Sequence, residues 1–165
     1  MNLYLMRHAI ALEANNVMED NLRPLSEKGR KKLGEIVQNL KRLEINFDII
    51  LTSPYVRTRQ TTDMLAEGLA IKQKNIFESE NLCPPGFGDG LINEICAHDG
   101  LENILIVGHE PALSQLIGVL IAGDPDLDIE IKKAGLCKLS IDQLKYGRCA
   151  KLEWLLTPSQ LIAIR

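Results

Sequence analysis

No run of apolar residues in this chain is long enough to cross a bilayer. The longest, Leu116 to Ala122, falls far short of the roughly 20 residues a spanning helix needs. Met1 to Met6 lacks the positive region that opens a signal peptide, and Arg7-His8 interrupts the apolar stretch, so export is not expected. A basic excess is missing too: 19 Lys and Arg stand against 22 Asp and Glu, for a net charge of −3. That removes the electrostatic footprint of a nonspecific nucleic-acid binder. CxxC pairs are absent, and the closest two cysteines, Cys137 and Cys149, stand 12 positions apart. Structural zinc needs ligands two to four positions apart, so neither a metal nor another cofactor is expected. Cys83, Cys96, Cys137 and Cys149 therefore read as buried, reduced thiols of a cytoplasmic protein. Repeats, low-complexity tracts and Pro/Gly/Ser linkers are lacking, and residues 1–165 read as one domain of common size. What is left is ordinary globular composition, 45% hydrophobic and 25% charged.

The periodicities then divide the chain into alternating strands and helices. Leu3 to Met6 is a short apolar run ending in Arg7-His8. Leu33, Ile36, Val37, Leu40 and Leu43 recur at helical spacing behind Ser26, a natural N-cap. Phe47 to Leu51 is a second strand, followed by Ser53-Pro54, which predicts a helix capped by Ser53 with Pro54 at its first position. Ile76 and Phe77 suggest a short strand before the loop Cys83 to Gly90. Ile104 to Val107 has the continuous apolar character of a strand buried on both faces. Pro111 opens a helix to about Ile121, and Leu136 to Ile141 and Lys151 to Leu156 read as the last strands. This order predicts an α/β fold, a three-layer α/β/α sandwich around a mainly parallel sheet.

Chemistry collects at the strand ends. His8 follows the first strand, Ser53 and Arg57 the second, and Gly108-His109 the strand Ile104 to Val107. Ligands of open α/β sheets bind outside the carboxyl ends of the strands. Arg57 falls in the first turn of its predicted helix, where unpaired N–H groups favour an anion. Arg59, about 200° further round at 3.6 residues per turn, should face elsewhere as a surface charge. Two arginines suit phosphate oxygens, and a neutral imidazole can accept and release a phosphoryl group. The second histidine can bind a phosphoryl oxygen or shuttle a proton. No HExxH cluster and no P-loop offers another route.

Met6-Arg7-His8-Ala9 resembles the RHG or RHA element of the histidine phosphatase superfamily, also called phosphoglycerate-mutase-like. Ser53 to Thr61 (SPYVRTRQT) resembles its SPxxRxxQT element, and Val107 to Pro111 (VGHEP) resembles the GHEP element of the SixA-like branch. Leu25-Ser26-Glu27-Lys28-Gly29 is similar to that branch's L-[ST]-x-x-G helix start. The one departure is Ala9 where most of the superfamily has glycine.

The resemblance implies a phosphoglycerate-mutase-like fold, with His8 the phosphorylated nucleophile. Arg7 and Arg57 would be phosphate ligands, and His109 would complete the pocket. Glu78, Glu80, Asp89 and Glu110 are the candidates for a general acid, and Glu80 is preferred by position. The segment before Ile104 is too short for a lid domain, and a substrate imidazole can leave neutral without a strong acid. Both points favour a metal-independent phosphohistidine phosphatase acting on a signalling or phosphotransfer protein. The alternatives are a phosphatase of a small phosphorylated metabolite, a mutase, and a non-catalytic module that binds phosphorylated partners. The expected partners are a phosphohistidine-bearing protein, such as a phosphotransfer domain, and a phosphate or other oxyanion in the pocket. Nucleic acid and membrane are not expected, and a monomer is. His98 receives no catalytic role, and the basic cluster Lys28 to Lys32 reads as a solvated face.

Overall fold

A computed structural model describes residues 1–14, 17–87, 90–98 and 100–164. Among the described residues, six strands form one sheet: β1 (Asn2–Arg7), β2 (Ile49–Thr52), β3 (Ile76–Glu78), β4 (Asn103–Gly108), β5 (Leu136–Ile141) and β6 (Ala150–Leu156), in the spatial order β3-β2-β4-β1-β5-β6. The first four in that order run parallel, and β5 is antiparallel to both β1 and β6. The helices are α1 (Glu27–Arg42), α2 (Val56–Gly68), α3 (Gly90–Cys96), α4 (Ala112–Ala122) and α5 (Pro158–Ala163).

Alternation along the strands makes two cores. Leu3, Leu5, Ile104 and Ile106 face one side, with Leu91, Ile92 and Ile95 of α3 and Leu113, Leu116 and Ile117 of α4. Tyr4, Met6, Leu105 and Val107 face the other, with Leu33, Ile36 and Leu40 of α1, Leu65 of α2 and Leu161 of α5. A sheet buried on both faces needs the continuous apolar runs that β1 and β4 carry. The result is the expected three layers.

Ser26 caps α1 as its sequence suggests, accepting a hydrogen bond from the Gly29 N–H at 3.1 Å. A Cβ on Gly29 would stand 2.1 Å from the Ile10 carbonyl oxygen, so this helix start fits against the chain leaving β1 only without a side chain. Leu43 departs from the expected apolar face: it is the C-cap of α1 and is exposed. The cap expected of Ser53 also fails. Helix α2 begins two residues later, with Tyr55 at its N-cap and no side-chain capping bond, because the Ser53 hydroxyl is engaged elsewhere. All four cysteines are free, yet Cys137 alone is buried. Cys137 faces the core from β5, whereas Cys96 ends α3 on the surface. His98 lies beyond the end of α3, against the ring of Phe77 at 4.9 Å.

The sheet register is what builds the site. Arg7 pairs with Gly108 across β1 and β4, and Thr52 pairs with Val107 across β2 and β4. Three adjacent strands thus end level with one another, and the residues that follow them meet at one edge.

Candidate active site

His8 and Ser53 leave these strand ends in hydrogen-bonded positions, with His109 following Gly108: the His8 N–H donates to Gly108 O at 3.1 Å and the Ser53 N–H to Val107 O at 3.1 Å. The His8 and His109 rings lie 5.2 Å apart, tilted by 58°. Both side chains are buried, as is Arg57. The Ala9 carbonyl lies 2.7 Å from His8 Nδ1 and can only accept, so Nδ1 carries the ring proton. Nε2 is therefore the lone-pair nitrogen, and it accepts from Arg57 Nε–H at 3.2 Å. Burial, with the charges of Arg57 and Arg7, pushes His8 down to about 3, although the bond to Ala9 opposes the shift. Burial, then Arg57 and His8, pushes His109 down to about 3 as well. Two neutral imidazoles face one another, one with a free-base nitrogen aimed at a guanidinium.

Two buried polar atoms in this cluster have no hydrogen-bond partner among the described residues: Arg7 Nε and His109 Nδ1. An unmet buried donor or acceptor costs about 1–3 kcal/mol. The rest of each residue is tethered. Arg7 Nη1 donates to Ile131 O at 3.0 Å, and His109 Nε2 is 2.9 Å from Ser53 Oγ. Glu110 secures the Arg7 tether, accepting the Ile131 N–H at 2.9 Å. Tyr55 forms a wall, its ring 4.9 Å from the His109 ring and 4.9 Å from Arg57 Cζ.

The polar ends of the SPYVRTRQT stretch work as anchors. Thr61 Oγ1 accepts the Ala9 N–H at 3.1 Å, fixing the turn after His8, and Gln60 Oε1 accepts the Leu25 N–H at 2.8 Å. Gln60 thereby ties the loop between β1 and α1 to α2. Arg59 is exposed and paired with Glu78 at 2.7 Å, on the surface as the helix geometry requires.

The carboxylates are distributed differently from the sequence expectation. Glu78 is committed to Arg59, and Glu110 to Ile131 and Ser114. Glu80 is exposed at the rim and accepts from the Cys83 thiol at 3.3 Å; that sulfur lies 3.8 Å from Ser53 Oγ. Asp89 lies outside the described residues. Among the described residues, the carboxylate that touches Arg57 is Asp20, which has no place among the sequence candidates. Its Oδ2 is 2.9 Å from Arg57 Nη2, and its main-chain oxygen accepts Arg57 Nη1 at 2.6 Å. Its other oxygen is gripped by Arg23 through Nε at 2.8 Å and Nη2 at 2.5 Å. One sequence signal could have pointed there: Asp20 and Arg23 lie in the loop that opens at His8. Cys83 was likewise not expected beside the site. Burial raises its thiol, which keeps it protonated and away from nucleophilic chemistry.

The depressed histidines have a consequence for stability. An unfolded histidine binds its proton near pH 6.5, whereas folded His8 and His109 resist protonation until about 3. Their contribution is therefore fully present above pH 6.5 and is lost as pH falls toward 3, by up to about 1.4 kcal/mol per pH unit for each ring. Thermal midpoints measured between pH 7 and 4 should fall, and His109→Gln should flatten the slope. An unchanged slope would contradict a buried neutral ring.

Comparisons with known proteins identify the family. Residues 3–82 match the histidine phosphatase superfamily (branch 1). The phosphohistidine phosphatase SixA homolog of Haemophilus influenzae is 33% identical over 128 residues, covering 73% of this chain and 77% of that protein. The structure of the protein histidine phosphatase SixA complexed with tungstate superposes with a TM-score of 0.79 at 21% identity, over 98% of this chain and 99% of that one. The α-ribazole phosphatase of Shigella flexneri shares the fold with a TM-score of 0.76 at 19% identity, over 96% and 97% of the two chains. The chain belongs to the histidine phosphatase superfamily, in its SixA-like branch.

Proposed function

We propose that this protein is a phosphohistidine phosphatase that removes phosphate from a phosphorylated histidine of a signalling or phosphotransfer protein through a phosphorylated His8. The observation that carries the reading is the pair of unpartnered buried atoms, Arg7 Nε and His109 Nδ1, in the cluster where Arg57 holds the His8 lone pair. A phosphoryl group against His8 Nε2 would bring oxygens to both and release Arg57 Nε–H from the ring. Nε2 then forms the bond to phosphorus, and the P–N bond to the substrate ring breaks with its electron pair going to that ring. Water later attacks the phosphorus, the P–Nε2 bond breaks toward His8, and phosphate leaves. Arg7, Arg57 and His109 would stabilise the charge on the three equatorial oxygens throughout.

A protein substrate is favoured over a small metabolite by the placement of α3, the helix between α2 and β4. Leu91, Ile92 and Ile95 place α3 in the core under the sheet, so this helix covers apolar surface and does not roof the site. The superfamily fold also serves the α-ribazole phosphatase, so the test must separate the two readings. A phosphorylated phosphotransfer domain and a panel of free phosphate esters are offered in the presence of chelator. The expected result is phosphate release from the protein and an acid-labile, base-stable phosphoryl group on the enzyme. Faster turnover on a free ester, with the phosphoprotein untouched, would instead establish the metabolite reading.

A further inference from the structure

Asp20 is the feature the mechanism above leaves unused. One guanidinium, that of Arg57, touches both the His8 lone pair and the Asp20 carboxylate. The two ends of this bridge differ in exposure: His8 is buried, whereas the Asp20 side chain is 55% exposed. An in-line displacement needs the leaving group opposite His8, and a large substrate can bring it only from the solvent side, where Asp20 stands. Arg23 holds Oδ1, and Arg23 Nη1 is itself tied to Leu12 O at 2.8 Å. The loop is pinched at its base, where Ala11 bridges Leu25. The carboxylate is thus held in place at the entry side.

Resting on the phosphohistidine reading, we propose that Asp20 is the specificity-determining residue that accepts a hydrogen bond from the N–H of the leaving imidazole. The charged groups that face it are Arg23 from its own segment and Arg57 from α2. Partial burial pushes its carboxyl up, but the hydrogen bonds and charges of these two arginines outweigh that and hold it below the usual range. Asp20 is therefore ionised at neutral pH and has no proton to give. That suits a nitrogen leaving group: the ring brings its own N–H, the P–N electron pair returns to the ring, and neutral imidazole departs. An alkoxide would have to be protonated as it left, and an ionised Asp20 cannot do so.

The discriminating experiment compares phosphoimidazole with p-nitrophenyl phosphate as donors for wild-type enzyme, Asp20→Asn and Asp20→Glu. Asparagine keeps an acceptor for Arg57 and removes the charge. A hydrogen bond to a charged group is worth about 1.5–3 kcal/mol, so the ratio of kcat/KM for phosphoimidazole over the ester should fall roughly 10- to 100-fold in Asp20→Asn. Asp20→Glu should restore part of the ratio, and the thermal midpoint shows that each variant is folded. Equal losses on both donors would mean that Asp20 only orients Arg57, and kcat/KM values left at the wild-type level on both would mean that it does neither; either result overturns the assignment of Asp20 alone. Wild-type enzyme that hydrolyses the ester and leaves phosphoimidazole intact would overturn the phosphohistidine reading, and this inference with it.

Discussion

His8→Ala is expected to abolish turnover entirely and to leave no phosphoryl group on the protein, while the fold is retained. The reasoning starts from the two imidazoles, which look alike in burial but differ in wiring. On His8, the Ala9 carbonyl accepts a hydrogen bond from Nδ1–H, which leaves the lone pair on Nε2. On His109, Nε2 is held by the Ser53 hydroxyl, and Nδ1 is the atom without a partner. His109 therefore suits a contact to a phosphoryl oxygen, whereas His8 offers a nitrogen whose ring position is fixed from behind. His109→Ala should keep some labelling on His8 and lose about 10² to 10³ in rate, the usual cost of one electrostatic donor. Trapping both variants with a phosphorylated donor and mapping the label by mass spectrometry checks the assignment. A phosphoryl group on His109 with His8 unmodified would reverse the two roles.

Much of this site was legible because parallel strands put their consequences in one place. A strand that ends in Arg7-His8, another in Ser53 and a third in Gly108-His109 must converge if the strands are parallel neighbours. The register of β1, β4 and β2 brings them level. The helical spacing of α1 and its Ser26 cap were equally readable, since both depend on contacts within a few residues. Ser53 shows where local reasoning stops. Serine before proline is a good helix start, but the hydroxyl binds His109, 56 positions away, and the helix begins at Val56.

Asp20 was hidden for a related reason. Its role depends on how the loop from β1 returns over α2, and that path is set by long-range bonds. Gln60 holds Leu25, Ala11 bridges Leu25, and Arg23 reaches Leu12. None of these leaves a periodic pattern. A carboxylate in a polar loop reads as solvated until the loop is seen folded onto a guanidinium. Position in the chain accordingly points to Glu80 as general acid, a residue that the structure places beside Cys83.

Arg57→Ala should be the second most damaging change, losing on the order of 10³ or more in kcat/KM with a parallel loss of affinity for inorganic phosphate. Three interactions converge on this one side chain. Nε–H orients the His8 lone pair, and the two terminal nitrogens hold the carboxylate and main-chain oxygen of Asp20. Its removal leaves His8 Nε2 without that donor, deletes a charge-assisted fork for the phosphoryl oxygens, and frees the loop that carries Asp20. Arg57→Lys should recover little, because an ammonium is a point charge without the planar fork that spans His8 and Asp20 at once. The control is two positions away: Arg59 is paired with Glu78 on the exposed face of α2, so Arg59→Ala should stay within about twofold of wild type, as expected where an exposed ion pair contributes at most about 1 kcal/mol. Steady-state kinetics and inhibition by inorganic phosphate on the three variants test the geometry directly. Equal losses for Arg57→Ala and Arg59→Ala would show that the whole first turn of α2 matters, and that the contact between Arg57 and His8 does not.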